Sequence, residues 1–164
     1  MYNTGMEEKI LRVYVDNSVV SGMFDDHIPE RVEQTERFWQ AVIDGTIRVI
    51  ASDVLDEELA KAPQHVRDFF NDLPELHIEQ IESTKESVDL AEQYIAAGVV
   101  GRGSFNDCQH VALATIFADG IVSWNLGDMV KRADKYNSVN AAMDFPEIKI
   151  VTPNEFMEAH HGDT

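Results

Sequence analysis

Two periods of apolar residues alternate along this chain. Residues 10–15 mix β-branched and aromatic side chains in a short run that reads as a buried strand, and Asp16, Asn17 and Ser18 stop it with side chains that favour turns and helix caps. After a polar stretch holding Asp25, Asp26 and Pro29, the spacing of Val32, Thr35, Phe38, Trp39 and Val42 predicts a helix over 30–44, closed at Gly45. Residues 46–52 form the next strand. Ser52 or Asp53 caps a helix through Leu55, Glu58 and Leu59 that ends before Pro63. A further helix over 63–73 turns Val66, Phe69 and Phe70 inward, and Pro74 breaks it. A third strand is expected within 76–81.

Ser83 or Thr84 opens a helix carrying Val88, Ala91, Tyr94 and Ile95, closed at Gly98. Residues 105–118 follow as a helix, 120–123 as a strand, 128–136 as a short helix and 149–151 as a last strand. Thr152 and Pro153 then start a terminal helix. Strands alternating with helices predict an α/β fold in three layers, a mostly parallel central sheet with helices on both faces. The expected organisation is a loose arm over 1–9, one domain over 10–158 and a frayed tail over 159–164, with no repeat or linker inside.

Composition narrows the classes. A chain of 164 residues with 44% hydrophobic content has room for one ordinary core. Its one cysteine, Cys108, makes no internal disulfide, and no charged, apolar, cleavable leader opens the chain, so a cytoplasmic home is expected. No apolar run approaches the ~20 residues of a spanning helix, so no membrane is expected. The net charge of −17 argues against broad electrostatic grip on nucleic acid. It leaves room for a nuclease whose bound cation inverts the local field, and it suits a basic protein partner.

In a parallel α/β sheet the carboxyl ends of the strands share one edge, and ligands bind in the crevice outside it. Asp16 closes the first strand and Asn125 follows the fourth; Glu58 lies one to two turns into its helix and Asp107 on the first turn of its own, so all four reach toward that edge. Acids gathered there repel one another unless a cation lies between them. Oxygen donors suit Mg²⁺ or Mn²⁺, which lower the pKa of a bound water enough to make a nucleophile for phosphorus. No histidine or cysteine cluster has zinc spacing, and His160 and His161 stand in the expected tail. His110, three residues after Asp107, is expected to support the site by packing or a hydrogen bond.

Each residue also has a plain structural reading. Asp16 is suited to capping a helix, Asp107 to an N-terminal dipole, and Glu57 and Glu58 to one solvated face with Asp53 and Asp56. Trp124 suits the core as well as a substrate platform. The functional reading rests on the four positions jointly.

Five segments in order resemble a PIN domain: 14–20 around Asp16 and Ser18, 52–59 around Glu58, 106–114 around Asp107, 121–125 ending in Asn125, and 151–156. The resemblance covers nearly the whole chain, and the Asp107 segment is its most distinctive part. It implies a PIN-like fold and a Mg²⁺- or Mn²⁺-dependent endoribonuclease in which a metal-activated water attacks the phosphodiester. It further implies a toxin of the VapC type, paired with a small antitoxin protein whose tail blocks the site, and a homodimer. By position, Asp16, Glu58 and Asp107 match the three acids and metal ligands, Ser18 a small hydroxyl residue near the first acid, and Asn125 the place of a fourth acid. An amide there brings no charge, so affinity for a second metal falls; Asp128, three residues on, is the candidate to compensate.

Competing classes fare less well. A haloacid-dehalogenase-like phosphatase wants an aspartate where Ser18 stands, a receiver domain wants a late lysine, and Gly101-Arg102-Gly103-Ser104 lacks the lysine of a phosphate-binding loop. The rival that persists is a PIN-like binding or scaffold module without turnover, kept open by Asn125 and the acidic surface.

Overall fold

The computed structural model describes residues 10–161. The arm expected over 1–9 and the last three residues of the expected tail lie outside the described residues. In chain order the elements are β1 (Leu11–Val15), α1 (Asn17–Ser21), α2 (Pro29–Ile43), β2 (Ile47–Ser52), α3 (Asp53–Ala60), α4 (Gln64–Asn71), β3 (Ile78–Ile81), α5 (Lys85–Ala96), α6 (Phe105–Phe117), β4 (Gly120–Val122), α7 (Ala133–Ala142), β5 (Lys149–Val151) and α8 (Pro153–His161). Short 3-10 turns join several of them.

The five strands form one sheet in the order β3-β2-β1-β4-β5, and every pairing is parallel. From β1 the chain builds outward through β2 and β3, then returns to lay β4 against the other side of β1, with Val13 beside Gly120 and Val15 beside Val122. The direction of winding therefore reverses between β1 and β4. Loops leaving two such strands diverge to opposite faces and open a crevice at their carboxyl ends.

Strand alternation divides the core. Val13, Val15, Val49, Ala51 and Val122 face one layer, where Val19 and Val20 of α1, Phe38, Trp39 and Val42 of α2, Leu55 of α3, Val66 of α4 and Phe156 of α8 cover them. Tyr14, Ile50, Ile121 and Ile150 face the other, packed against Leu90 and Tyr94 of α5, Val111 and Leu113 of α6 and Tyr136 of α7. This is the three-layer α/β arrangement that alternating elements dictate. Helix α6 buries Cys108 and the unbroken run from His110 to Thr115, as a helix sandwiched between the sheet and α5 must. Helix α3 gives Val54 to one core and Leu55 and Leu59 to the other, so it straddles the carboxyl edge.

Helix ends follow local chemistry. Gly45 and Gly98, both at positive φ, close α2 and α5 by sending their N–H groups to Val42 and Ile95, while Thr46 and Val99 reach back to Ala41 and Tyr94. Ser52 is the cap of α3, its Oγ accepting from the Leu55 N–H. Thr84 caps α5 and Ser87 reciprocates.

Two expectations need correction. Val88 is 36% exposed, whereas Ala91 and Tyr94 of the same expected stripe are buried, Ile95 packs against the core, and Ser87 and Leu90 join them inside. The short helix expected over 128–136 is a 3-10 turn at Val130–Arg132 followed by α7, which runs on to Ala142. Its second half is polar in sequence because Asn140 is fully buried, accepting from the Tyr94 hydroxyl at 2.6 Å and donating to Thr115 at 3.2 Å. No described helix is long and apolar enough to cross a membrane.

Candidate active site

The crevice between the ends of β1 and β4 holds Asp16. It is 5% exposed, and its oxygens are held by α1 on one side and by the loop after β4 on the other. Oδ1 caps α1 by accepting from the Ser18 N–H at 3.1 Å and from the Ser18 hydroxyl; Oδ2 accepts from Ser123 Oγ at 2.6 Å. The two serines are anchored in turn: Ser18 Oγ accepts from the Trp124 N–H at 2.8 Å and Ser123 Oγ from the Asn125 N–H at 2.9 Å. Burial pushes the Asp16 carboxyl above its ordinary range, opposed by His110 and by both serines, with Glu58 pushing upward again.

Asp107 stands on the first turn of α6, partly buried. Burial pushes its carboxyl up, to about 6, against the pull of His110 and with the added repulsion of Asp16, Asp128 and Glu58. Asn125 Nδ2 donates to Asp107 Oδ2 at 3.1 Å, while Asn125 Oδ1 accepts the Asp128 N–H at 3.1 Å. The side chain of Asp128 accepts from Ser104 Oγ at 3.1 Å.

Glu58 projects from the last turn of α3, and Glu57 beside it is exposed. Glu58 Oε1 meets His110 Nε2 at 3.0 Å. His110 is fully buried on α6; its Nδ1 lies 2.7 Å from the Tyr14 hydroxyl, which lies 2.6 Å from Ser52 Oγ. Because Ser52 Oγ already accepts from Leu55, a chain running Ser52 to Tyr14 to His110 to Glu58 gives every donor an acceptor. Burial opposes the charged imidazole, but the hydrogen bond and charge of Glu58, with Asp16 and Asp107, outweigh it and raise the His110 pKa. Asp53 and Asp56, the other acids of α3, bind Ser83 and Gln80.

Sequence reasoning named Asp16, Ser18, Glu58, Asp107, His110, Asn125 and Asp128, and hydrogen bonds or mutual charge link all of them here. It passed over Tyr14, Ser52 and Ser123. Tyr14 lies two residues before Asp16 on its strand, and Ser123 two residues before Asn125; that spacing was the available signal. His160 sits elsewhere, against Phe156, lining a cavity of about 260 Å³ by Leu11 and Gly120 at the opposite edge of the sheet.

Among the described residues no three His, Cys, Asp or Glu side chains are disposed to hold one metal ion. The chemistry of the donor set is nevertheless that of a hard cation site: carboxylate oxygens at one edge, with Asp16 and Asp107 pushed up first by burial and further by neighbouring acids. Asn17 Oδ1, on the residue after Asp16, is a further buried oxygen without a hydrogen-bond partner among the described residues.

No protein-family model matches the chain, and no curated protein does. Among solved structures, the chain is similar to the Mycobacterium tuberculosis toxin VapC20, described as cleaving the sarcin-ricin loop, at 15% identity and a TM-score of 0.47, covering 84% of this chain and 98% of that one; the likeness is one of fold.

Proposed function

We propose that this protein is a Mg²⁺- or Mn²⁺-dependent endoribonuclease of the PIN type that acts as the toxin of a toxin–antitoxin pair. The observation that carries this reading is the buried acid cluster at the reversal point of a parallel sheet, where Asp107 is pushed to about 6 by burial and by Asp16, Asp128 and Glu58. The reading is also supported by the five segments that resemble a PIN domain, whose three acids correspond to Asp16, Glu58 and Asp107.

Asp16, Glu58 and Asp107 are the residues that would hold the cation, and since no three acids among the described residues converge to direct ligand distance, some of those contacts would run through bound water. When bound, such a cation neutralises the acids and supplies a nucleophilic water for phosphodiester hydrolysis at neutral pH. The remaining work belongs to the chain. Ser18 of α1 and Ser123, just past β4, fix the rotamer of Asp16, His110 aims Glu58, and Asn125 orients Asp107. Carboxylates held this way are preorganised, so little is lost in ordering them when the site is engaged.

The partners in this reading are the RNA substrate, a small antitoxin protein whose basic segment covers the acid edge of a chain of net charge −17, and a second copy of the chain; the compartment is the cytoplasm. The test is cleavage of a mixed RNA pool with Mg²⁺ or Mn²⁺, with a chelator and with Asp16→Asn. Cleavage that needs the metal and disappears in Asp16→Asn is expected; equal cleavage by Asp16→Asn removes the assignment.

A scaffold without turnover is favoured by one observation, the Asn125 amide that turns its nitrogen to Asp107. Calorimetry with Mn²⁺ separates the two, since a scaffold shows no binding at millimolar metal.

A further inference from the structure

Beside the acid cluster lies an open cleft of about 500 Å³ whose walls include Ser18, Asn125, Trp124 and Arg31. Ser18 and Asn125 are the residues that hold Asp16 and Asp107, so cleft and cluster share a wall. The guanidinium carbon of Arg31 stands 4.7 Å from the centroid of the Trp124 ring.

The support beneath this pair is fully bonded. Trp124 Nε1 donates to Thr35 Oγ1 at 2.9 Å, and Thr35 Oγ1 donates to the Arg31 carbonyl at 2.6 Å, so one hydrogen-bond chain ties the indole to the backbone that carries the arginine. Gly22 lies against the indole edge: a Cβ there would meet Trp124 Cδ1 at 3.1 Å. The guanidinium itself is under-used. Its nearest acid, Asp25, is 3.8 Å away, beyond a hydrogen bond, and its buried Nε has no partner among the described residues. By contrast Arg12 grips Glu79 with two nitrogens at 3.0 and 2.8 Å, and Arg102 is held by Glu92.

The Arg31 side chain is 27% exposed while its Nε is shut away, so a ligand in the cleft meets the guanidinium at its Nη end. The two Nη nitrogens of a guanidinium form a two-pronged fork that fits the two oxygens of a phosphate. In a chain with an excess of acids, this cation stands next to the acid cluster that an RNA backbone must reach. We infer that the cleft is a nucleotide subsite, in which Arg31, mounted on Trp124, binds the phosphate of the nucleotide next to the scissile one. The inference rests on the ribonuclease reading for its substrate class.

Trp124 is also the reporter. Full-length Asp16→Asn protein, which removes turnover, is titrated in Mg²⁺ buffer with a short oligoribonucleotide, with uridine 5′-monophosphate, with uridine, with inorganic phosphate and with an acidic peptide, reading tryptophan fluorescence. Saturable quenching by the oligoribonucleotide and the monophosphate, absent with uridine, is expected. Arg31→Ala weakens it at least tenfold and Arg31→Lys by less, with near-UV circular dichroism unchanged, and Trp124→Phe abolishes the signal. Affinity unaltered by Arg31→Ala, quenching by inorganic phosphate as tight as by the nucleotide, or quenching by the acidic peptide alone overturns the inference. The ribonuclease reading fails separately: Arg31-dependent nucleotide binding in a chain that cleaves no RNA leaves the subsite standing, while metal-dependent cleavage with an Arg31→Ala KM equal to wild type leaves the nuclease standing without it.

Discussion

Asn125 turns its amide nitrogen, not its oxygen, toward Asp107, because the Asp128 N–H occupies the oxygen. The amide therefore shields one acid from its neighbours as a hydrogen-bond donor. Replacing it by a carboxylate puts two acids face to face. Asn125→Asp is expected to lose roughly 1–3 kcal/mol of stability at neutral pH in chelator and to recover most of it in millimolar Mn²⁺. Thermal unfolding with and without metal checks this; unchanged stability in chelator contradicts the contact.

Asp107 gives a pH dependence of definite sign. Its folded pKa of about 6 lies above the ordinary value of 3.8, so the native state binds the extra proton between the two and stability from this group falls as pH rises through that window. After discounting for partial exposure the loss is roughly 1–2 kcal/mol. Asp107→Asn removes that part of the slope, which a comparison of urea midpoints at about pH 4 and about pH 7 in chelator reads out. A variant with the wild-type slope excludes the assignment.

Ser123 holds the inward oxygen of Asp16 with a short charge-assisted bond. Ser123→Ala leaves that oxygen without its donor in a fully buried position. The expected loss is about 1.5–3 kcal/mol in stability, with RNA cleavage reduced at least tenfold. Denaturant titration and cleavage rates measure the two effects.

The Tyr14 hydroxyl reaches Glu58 only through His110. Tyr14→Phe keeps the ring in the core and unties the imidazole from behind. Cleavage is expected to drop several-fold in kcat with KM little changed, and stability to fall by about 1–2 kcal/mol. A KM effect alone would place Tyr14 outside the chain that positions Glu58.

Strand positions and most helices were readable because the sheet is buried on both faces and its strands are short β-branched runs ending in cap residues, as Val13, Tyr14 and Val15 before Asp16 show. Helix α7 was truncated in reading because Asn137 and Asn140 look like surface residues. Asn140 is buried, satisfied by Tyr94 and Thr115, and Asn137 is half-buried, bonded to the Ile148 backbone. Asp16 was legible from its place at a strand end, and Glu58 and Asp107 from helix positions that lean toward the same edge. Glu58 over Glu57 follows from helical spacing, since Glu58 lies four residues after Val54 on the inward side. Ser123, Tyr14 and Ser52 were not legible, because a hydroxyl declares its role only through a partner that another strand supplies.

The two serine clasps join residues 107 and 106 positions apart, from β1 to the end of β4. A chain still emerging from the ribosome, with β1, β2 and β3 already laid side by side, has Asp16 at an open strand border with no Ser123 to orient it and no Asp107 helix closed over it. The acid edge is therefore complete only once β4 has joined β1. Any cleaving activity is withheld from the nascent polypeptide until Ser123 and Trp124 have emerged to bond Asp16 and Ser18.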